Sequence, residues 1–207
     1  LMETSLQFET PDRGEEAARA DLYGLLAVLF YQPPTNEILD SIAEAPSDGT
    51  GELPDVWREL QRACREADPE SARDEYEALF IGVGKPEIFL YGSWYLSGFM
   101  MEKPLAQLRS DLLALGLERE DDVTESEDHI SSLCEVMRHL IASEDVLHGS
   151  ITTQKQFFAA HMQPWIQTFC DTVVQHPQAR FYAPVARLAQ AFFAIEMQAF
   201  DMVALQE

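Results

Sequence analysis

Lysine is almost missing from this chain. Of 14 basic residues only Lys85, Lys103 and Lys155 are lysines, and 36 acidic residues outweigh them to give a formal charge of −22. So negative a surface excludes a polyanion as partner, since neither a nucleic-acid backbone nor an anionic membrane is drawn to it. A basic peptide suits it better. Solvation in a high-salt cytoplasm accounts for the same charge, and at ~1 M salt a screening length of about 3 Å leaves only close carboxylate contacts to act.

Cysteine is scarce as well. Cys64, Cys134 and Cys170 lie far apart and are odd in number, with no Cys-x-x-Cys pair, which excludes a disulfide framework and a zinc frame. They read as small buried hydrophobes in a reducing compartment. Long apolar runs are missing too: the longest, Leu22 to Tyr31, is far short of the roughly 20 residues that span a bilayer. The segment up to Arg19 has no basic patch followed by an apolar stretch, so it does not read as a secretory signal. The expectation is a soluble, cytoplasmic protein with no membrane insertion.

What is present is helical periodicity. With 207 residues, 46% of them hydrophobic, the chain is long enough for a self-sufficient core, since a domain of about 150 residues already buries roughly 70% of its unfolded surface. Apolar positions recur at helical spacing almost throughout, without repeats and without sustained period-two alternation. The pattern predicts an all-α, single-domain helical bundle over residues 15–207, preceded by a flexible segment over residues 1–14.

The first helix is expected from Glu15 to Tyr31, with Ala18, Leu22, Leu25, Leu26 and Leu29 on its buried face and Pro33-Pro34 as its stop. A short helix follows from Thr35, another opens at Pro54, and Asp68-Pro69 supplies an N-cap and first-turn proline for a fourth that ends near Phe80. A long non-helical connection, Ile81 to Lys103, comes next. Pro104 opens a helix that Gly116 terminates. Thr124-Glu-Ser-Glu127 has the form of a capping box and predicts a helix whose buried stripe is Ile130, Leu133, Cys134, Met137, Leu140 and Ile141. After a break at His148-Gly149, helical segments flank Pro164. The last helix, from about Pro184, is expected to bury Val185, Leu188, Phe192, Ile195 and Val203.

No complete catalytic constellation emerges. Gly82-Val-Gly-Lys85 resembles a phosphate loop superficially, but Pro86 stands where a Ser or Thr should hold magnesium and no strand precedes it. A helical di-iron site needs Glu-x-x-His pairs, whereas Glu135 and His139 stand four apart. No cofactor and no enzymatic activity are expected. The cluster Glu125, Ser126, Asp128, His129 leaves one alternative open, a small metal-dependent hydrolase using Glu125, Asp128 and His129. First-turn acids complement the helix dipole, which explains Glu125 and Glu127 without a function; a histidine cation is disfavoured there, so His129 stays unexplained.

The connection is unusual because loops are normally polar, and this one holds Ile81, Val83, Ile88, Phe89, Leu90, Tyr91, Trp94, Tyr95, Leu96, Phe99, Met100 and Met101. Such a segment either plugs the core or lines a groove for an apolar segment of a partner.

Taken in order, several segments resemble the TorD/DmsD/NarJ-type redox-enzyme maturation chaperones, the TorD-like branch most of all. They are Leu22 to Pro34, Tyr76-Glu-Ala-Leu-Phe80, Gly82 to Pro86, Glu125-Ser-Glu-Asp-His129, and Phe158, His161, Trp165 and Phe181-Tyr182 nearer the carboxyl end. The likeness covers most of the chain from about Asp21. Ser126 replaces the proline usual in this motif, and Tyr76 stands where tryptophan is common. The resemblance implies an all-helical chaperone, monomer or homodimer, that binds the twin-arginine leader peptide or the apo form of a molybdopterin-dependent oxidoreductase until its cofactor is inserted. It implies that Tyr76, Leu79, Phe80 and Tyr91 line the peptide groove. Glu125, Asp128 and His129 would be its polar contacts.

Overall fold

A computed structural model describes residues 14–119, 123–145 and 149–204. The expected flexible amino-terminal segment, apart from Gly14, and the break residue His148 lie outside the described residues.

Helix α1 (Glu15–Tyr31) stops before Pro33-Pro34, where the missing proline donors end the ladder. In α2 (Asn36–Glu44) the Thr35 hydroxyl accepts the Ile38 amide at 3.3 Å. Helix α3 (Glu52–Glu66) carries a buried Gln61, whose amide donates to the carbonyls of Ile42 and Ala45 at 3.1 and 2.6 Å. These contacts fasten α3 to the carboxyl end of α2 and give the Ala45 carbonyl at its C-cap a partner. Asp68 caps α4 (Pro69–Tyr76) by accepting the Ser71 amide at 3.1 Å.

From Tyr76 the chain widens into a π-helical turn, Glu77–Ile81, closed by the Gly82 amide on the Glu77 carbonyl at 2.7 Å. The fourth helix is therefore shorter than its periodicity predicts, and Leu79 and Phe80 sit on a π turn instead. The connection beyond is not wholly irregular either, since α5 (Gly92–Ser97) lies inside it. Helix α6 (Lys103–Ala114) stops just before Gly116, whose φ of +67° puts it in the left-handed region that terminates helices.

The expected capping box fails. Helix α7 (Ile130–Ala142) begins well after Thr124, and its N-cap is His129, whose ring nitrogen Nδ1 accepts the Ser131 amide at 3.1 Å. The predicted stripe from Ile130 to Ile141 is nonetheless buried as expected. Helices α8 (Ile151–His161) and α9 (Ile166–Gln175) flank Pro164, and α10 (Tyr182–Ala204) closes the chain. It starts two residues before Pro184 because the Glu75 carboxylate accepts the amides of Phe181 and Tyr182 at 3.0 and 2.8 Å, a tertiary cap invisible to local sequence.

All the elements are helical among the described residues, and the fold is all-α. Helix α1 packs mainly on α7 and also on α10, while α10 is flanked by α3 and α9. Being covered on several sides, α1 buries almost everything from Tyr23 to Phe30, whereas Ala18 is exposed and Leu22 half-buried, against the single face its spacing predicts. Ile195 on α10 is likewise exposed, at 44%. Its neighbour Glu196 is buried instead: it takes a two-pronged contact from Arg19 at 2.7 and 2.8 Å and the Tyr23 hydroxyl at 3.0 Å. The other buried positions predicted for this helix, Val185, Leu188 and Phe192, are confirmed. The Val203 side chain falls outside the described residues.

Candidate functional site

The long connection folds back onto the segment before α7. The Leu79 carbonyl accepts the Ile88 amide at 2.9 Å, and the chain bends at Ile88 and leads through Phe89 and Leu90 to Tyr91, whose backbone is extended. The segment's side chains alternate: Ile88 and Leu90 are buried, Phe89 and Tyr91 half-buried. On its inner edge the Leu90 carbonyl accepts from Ile130 at 2.8 Å and the Asp128 carbonyl from Gly92 at 2.9 Å, with Tyr91 and His129 forming an isolated antiparallel bridge. Glycine is required at 92, since a Cβ would lie 2.9 Å from the Trp165 ring nitrogen.

These backbone pairs decide what the polar residues do. Asp128 is buried, and its carboxylate is occupied on both oxygens, by the Ser93 amide at 2.9 Å and the Ser126 hydroxyl at 2.5 Å. It holds α5 against the turn before α7. His129 is 2% exposed. Burial lowers its pKa to about 4 despite the opposing pull of Glu125 and Asp128, so the ring is neutral at pH 7, and the capping contact at Nδ1 leaves its proton on Nε2. Its ring lies edge-on to Tyr91 at 5.0 Å and to Tyr31 at 6.5 Å.

Glu125 is half-buried and accepts a short hydrogen bond from the Tyr91 hydroxyl. Burial first, and this carboxylate second, hold the Tyr91 hydroxyl well above its ordinary pKa. Glu127 pairs with Arg109 at 2.9 Å.

The apolar half of the site lies on the π turn. Leu79 is fully buried, and Tyr76 and Phe80 nearly so, with their rings 5.2 Å apart. The Tyr76 hydroxyl donates to the carbonyls of Phe30 and Tyr31 at 3.1 and 2.8 Å, tying the π turn to the end of α1. A continuous path therefore runs from Phe80 through Tyr76 and Tyr31 to His129, Tyr91 and Glu125. The seven residues singled out in the sequence form one region, but only Tyr91 and Glu125 reach the surface appreciably. Spacing alone misses Tyr31, 42% exposed at its rim, and Tyr182, whose ring lies 5.0 Å from Phe80 and 5.7 Å from Tyr76. The one local signal for Tyr31 is an aromatic at a helix end before a double proline.

Other features are more ordinary. The Lys85 ammonium sits 5.6 Å from the Trp94 ring and 5.9 Å from Phe89, capping a stacked aromatic pair. Hydrolytic use of Asp128 and His129 has little geometric support, because the carboxylate and Nδ1 are each engaged by backbone amides. Among the described residues no group of His, Cys, Asp and Glu is placed to hold a metal ion, and no helix is long and apolar enough to cross a membrane.

The nitrate reductase delta subunit family matches residues 48–171, more than half of the chain. The chaperone protein TorD of Vibrio cholerae serotype O1 (strain ATCC 39541 / Classical Ogawa 395 / O395) is 25% identical over 202 residues, covering 88% of this chain and 92% of that protein. TorD of Shewanella loihica is 25% identical over 205 residues with the same coverage. In fold, the chain is similar to the crystal structure of a redox enzyme maturation protein from Archaeoglobus fulgidus, with a TM-score of 0.61 and 20% identity over 91% of this chain and 99% of that one. The chain belongs to the nitrate reductase delta subunit family and is a TorD-like redox-enzyme maturation chaperone.

Proposed function

We propose that this chaperone acts in the cytoplasm by holding the twin-arginine leader peptide of an apo-molybdoenzyme, and that the region from Phe80 to Glu125 is where the peptide binds. One observation carries the reading: a half-buried carboxylate, Glu125, sits beside a row of aromatic rings that is open at Tyr91 and Tyr31 and continues inward, buried, through Tyr76 to Phe80. A leader of this kind offers guanidinium groups followed by an apolar stretch. Charge-assisted hydrogen bonds from guanidinium to carboxylate are worth about 1.5–3 kcal/mol each when shielded, and the aromatic rings supply cation–π and apolar contact.

Within this reading the residues divide the work. Glu125 and Tyr91 meet the guanidinium group, since they are half-exposed. Asp128 and His129, both buried, hold the turn that presents Glu125. Tyr76, Leu79 and Phe80 form the wall that receives the apolar stretch once it is opened. The test is calorimetric titration with twin-arginine leader peptides, comparing wild type with Glu125→Gln and Phe80→Ala. Weaker binding in both variants, with salt sensitivity lost only in Glu125→Gln, supports the assignment. Leaders that bind both variants as they bind wild type would overturn it.

A further inference from the structure

The hydroxyl of Tyr182 has no hydrogen-bonding partner and is fully buried. This is costly, since a buried polar group without a partner forfeits the hydrogen bonds it would make in water. Other buried or half-buried tyrosines are served: Tyr23 by Glu196, Tyr76 by the Phe30 and Tyr31 carbonyls, Tyr91 by Glu125 and Tyr95 by the Phe89 carbonyl. A phenylalanine at 182 would fill the same aromatic cluster without the penalty, because Phe30, Tyr76 and Phe80 surround its ring at 6.4, 5.7 and 5.0 Å.

The position of this ring is as telling as its missing partner. It contacts both Phe80 and Tyr76, the two rings at the apolar end of the proposed groove. Phe80 itself stands on the π-helical turn, a geometry that is rare and concentrates at functional sites. The turn ends on the exposed Ile81, and the exposed Val83 follows after Gly82, whose φ is +66° and where a Cβ would meet the Lys85 carbonyl oxygen at 2.0 Å. The ring that lies against Tyr182, Phe80, thus stands directly before an exposed stretch of irregular backbone.

We infer that Tyr182 is a ligand-binding residue of the peptide site, whose hydroxyl donates to a backbone carbonyl of the bound apolar stretch after that stretch displaces the Phe80 ring. The chemistry asks for an acceptor inside an apolar environment, and a peptide carbonyl that has just left water is such an acceptor. The inference rests on the proposed function and names the polar anchor at its floor.

The test is Tyr182→Phe in the full chain, measured by thermal melting without ligand and by calorimetric titration with a twin-arginine leader peptide. Removing an unpaired buried hydroxyl should leave the melting temperature unchanged or raise it, while affinity falls about fivefold or more. A structural hydroxyl would behave oppositely, so a lowered melting temperature overturns the inference. Unchanged affinity in a variant of unchanged stability also overturns it, and leaves the peptide-binding reading standing. If the wild-type protein binds no leader saturably, that reading falls and takes this inference with it.

Discussion

Tyr91 donates its hydroxyl to the Glu125 carboxylate across 34 residues of sequence. That contact joins the aromatic connection to the turn before α7, and Tyr91 also pairs through its backbone with His129. A carboxylate held this way is pre-oriented yet still reachable, which is what a receptor for a guanidinium group requires. Tyr91→Phe should therefore weaken leader binding modestly, by about twofold to tenfold, by freeing the Glu125 side chain while keeping the ring. Calorimetry compared with Glu125→Gln checks this, and the double variant should lose little more than the worse single one.

His129 makes stability depend on pH. Its folded pKa of about 4 lies below the unfolded value near 6.5, so between those values the unfolded chain binds the extra proton. The sign follows: the contribution of the neutral ring is fully present above about pH 6.5 and is lost as pH falls toward 4, with a size on the order of 2–3 kcal/mol. His129→Asn keeps an N-cap acceptor and should flatten that slope. Urea denaturation of both proteins at pH 4.5, 5.5 and 7 measures it.

Asp128 acts through position. With its two acceptor oxygens engaged by Ser93 and Ser126, Asp128→Ala should cost about 2–4 kcal/mol of stability. Amide hydrogen exchange should quicken around Ser93 and Ile130 and stay unchanged in α3. Uniform loss of protection would count against a local role.

At the opposite end of the bundle, Glu196→Ala removes the two-pronged contact that holds Arg19 to α10, leaving Arg19 its Glu16 partner and the buried Tyr23 hydroxyl without one. The expected loss is about 1–3 kcal/mol. A Glu196→Ala, Arg19→Met double variant should recover much of it, as read by chemical denaturation. No recovery would mean the cost lies in packing.

Much of the fold was legible from the sequence because local signals decide it. Pro33-Pro34, Asp68-Pro69 and Gly116 end or start helices by their own backbone chemistry, and the stripe from Ile130 to Ile141 follows simple periodicity. Where tertiary contacts compete, local reading fails. Thr124 to Glu127 has every feature of a capping box, yet the backbone at 128–130 pairs with residues 90–92 instead, leaving His129 to cap the helix. Ala18 and Ile195 were misplaced because α1 and α10 are each packed on more than one side. The seven residues singled out lie together in the fold, but the sequence could not show that Asp128 spends its carboxylate on Ser93, nor that Phe80 stands on a π turn. Both depend on partners far along the chain.

The central claim is a carboxylate beside an aromatic groove that receives a twin-arginine leader. It is tested most directly by the affinity of such a peptide at low and high salt for wild type and Glu125→Gln. The account expects saturable wild-type binding that weakens with salt, and in Glu125→Gln a loss of about fivefold to tenfold at low salt with the salt dependence reduced. Equal affinity and equal salt dependence in the two proteins would contradict it.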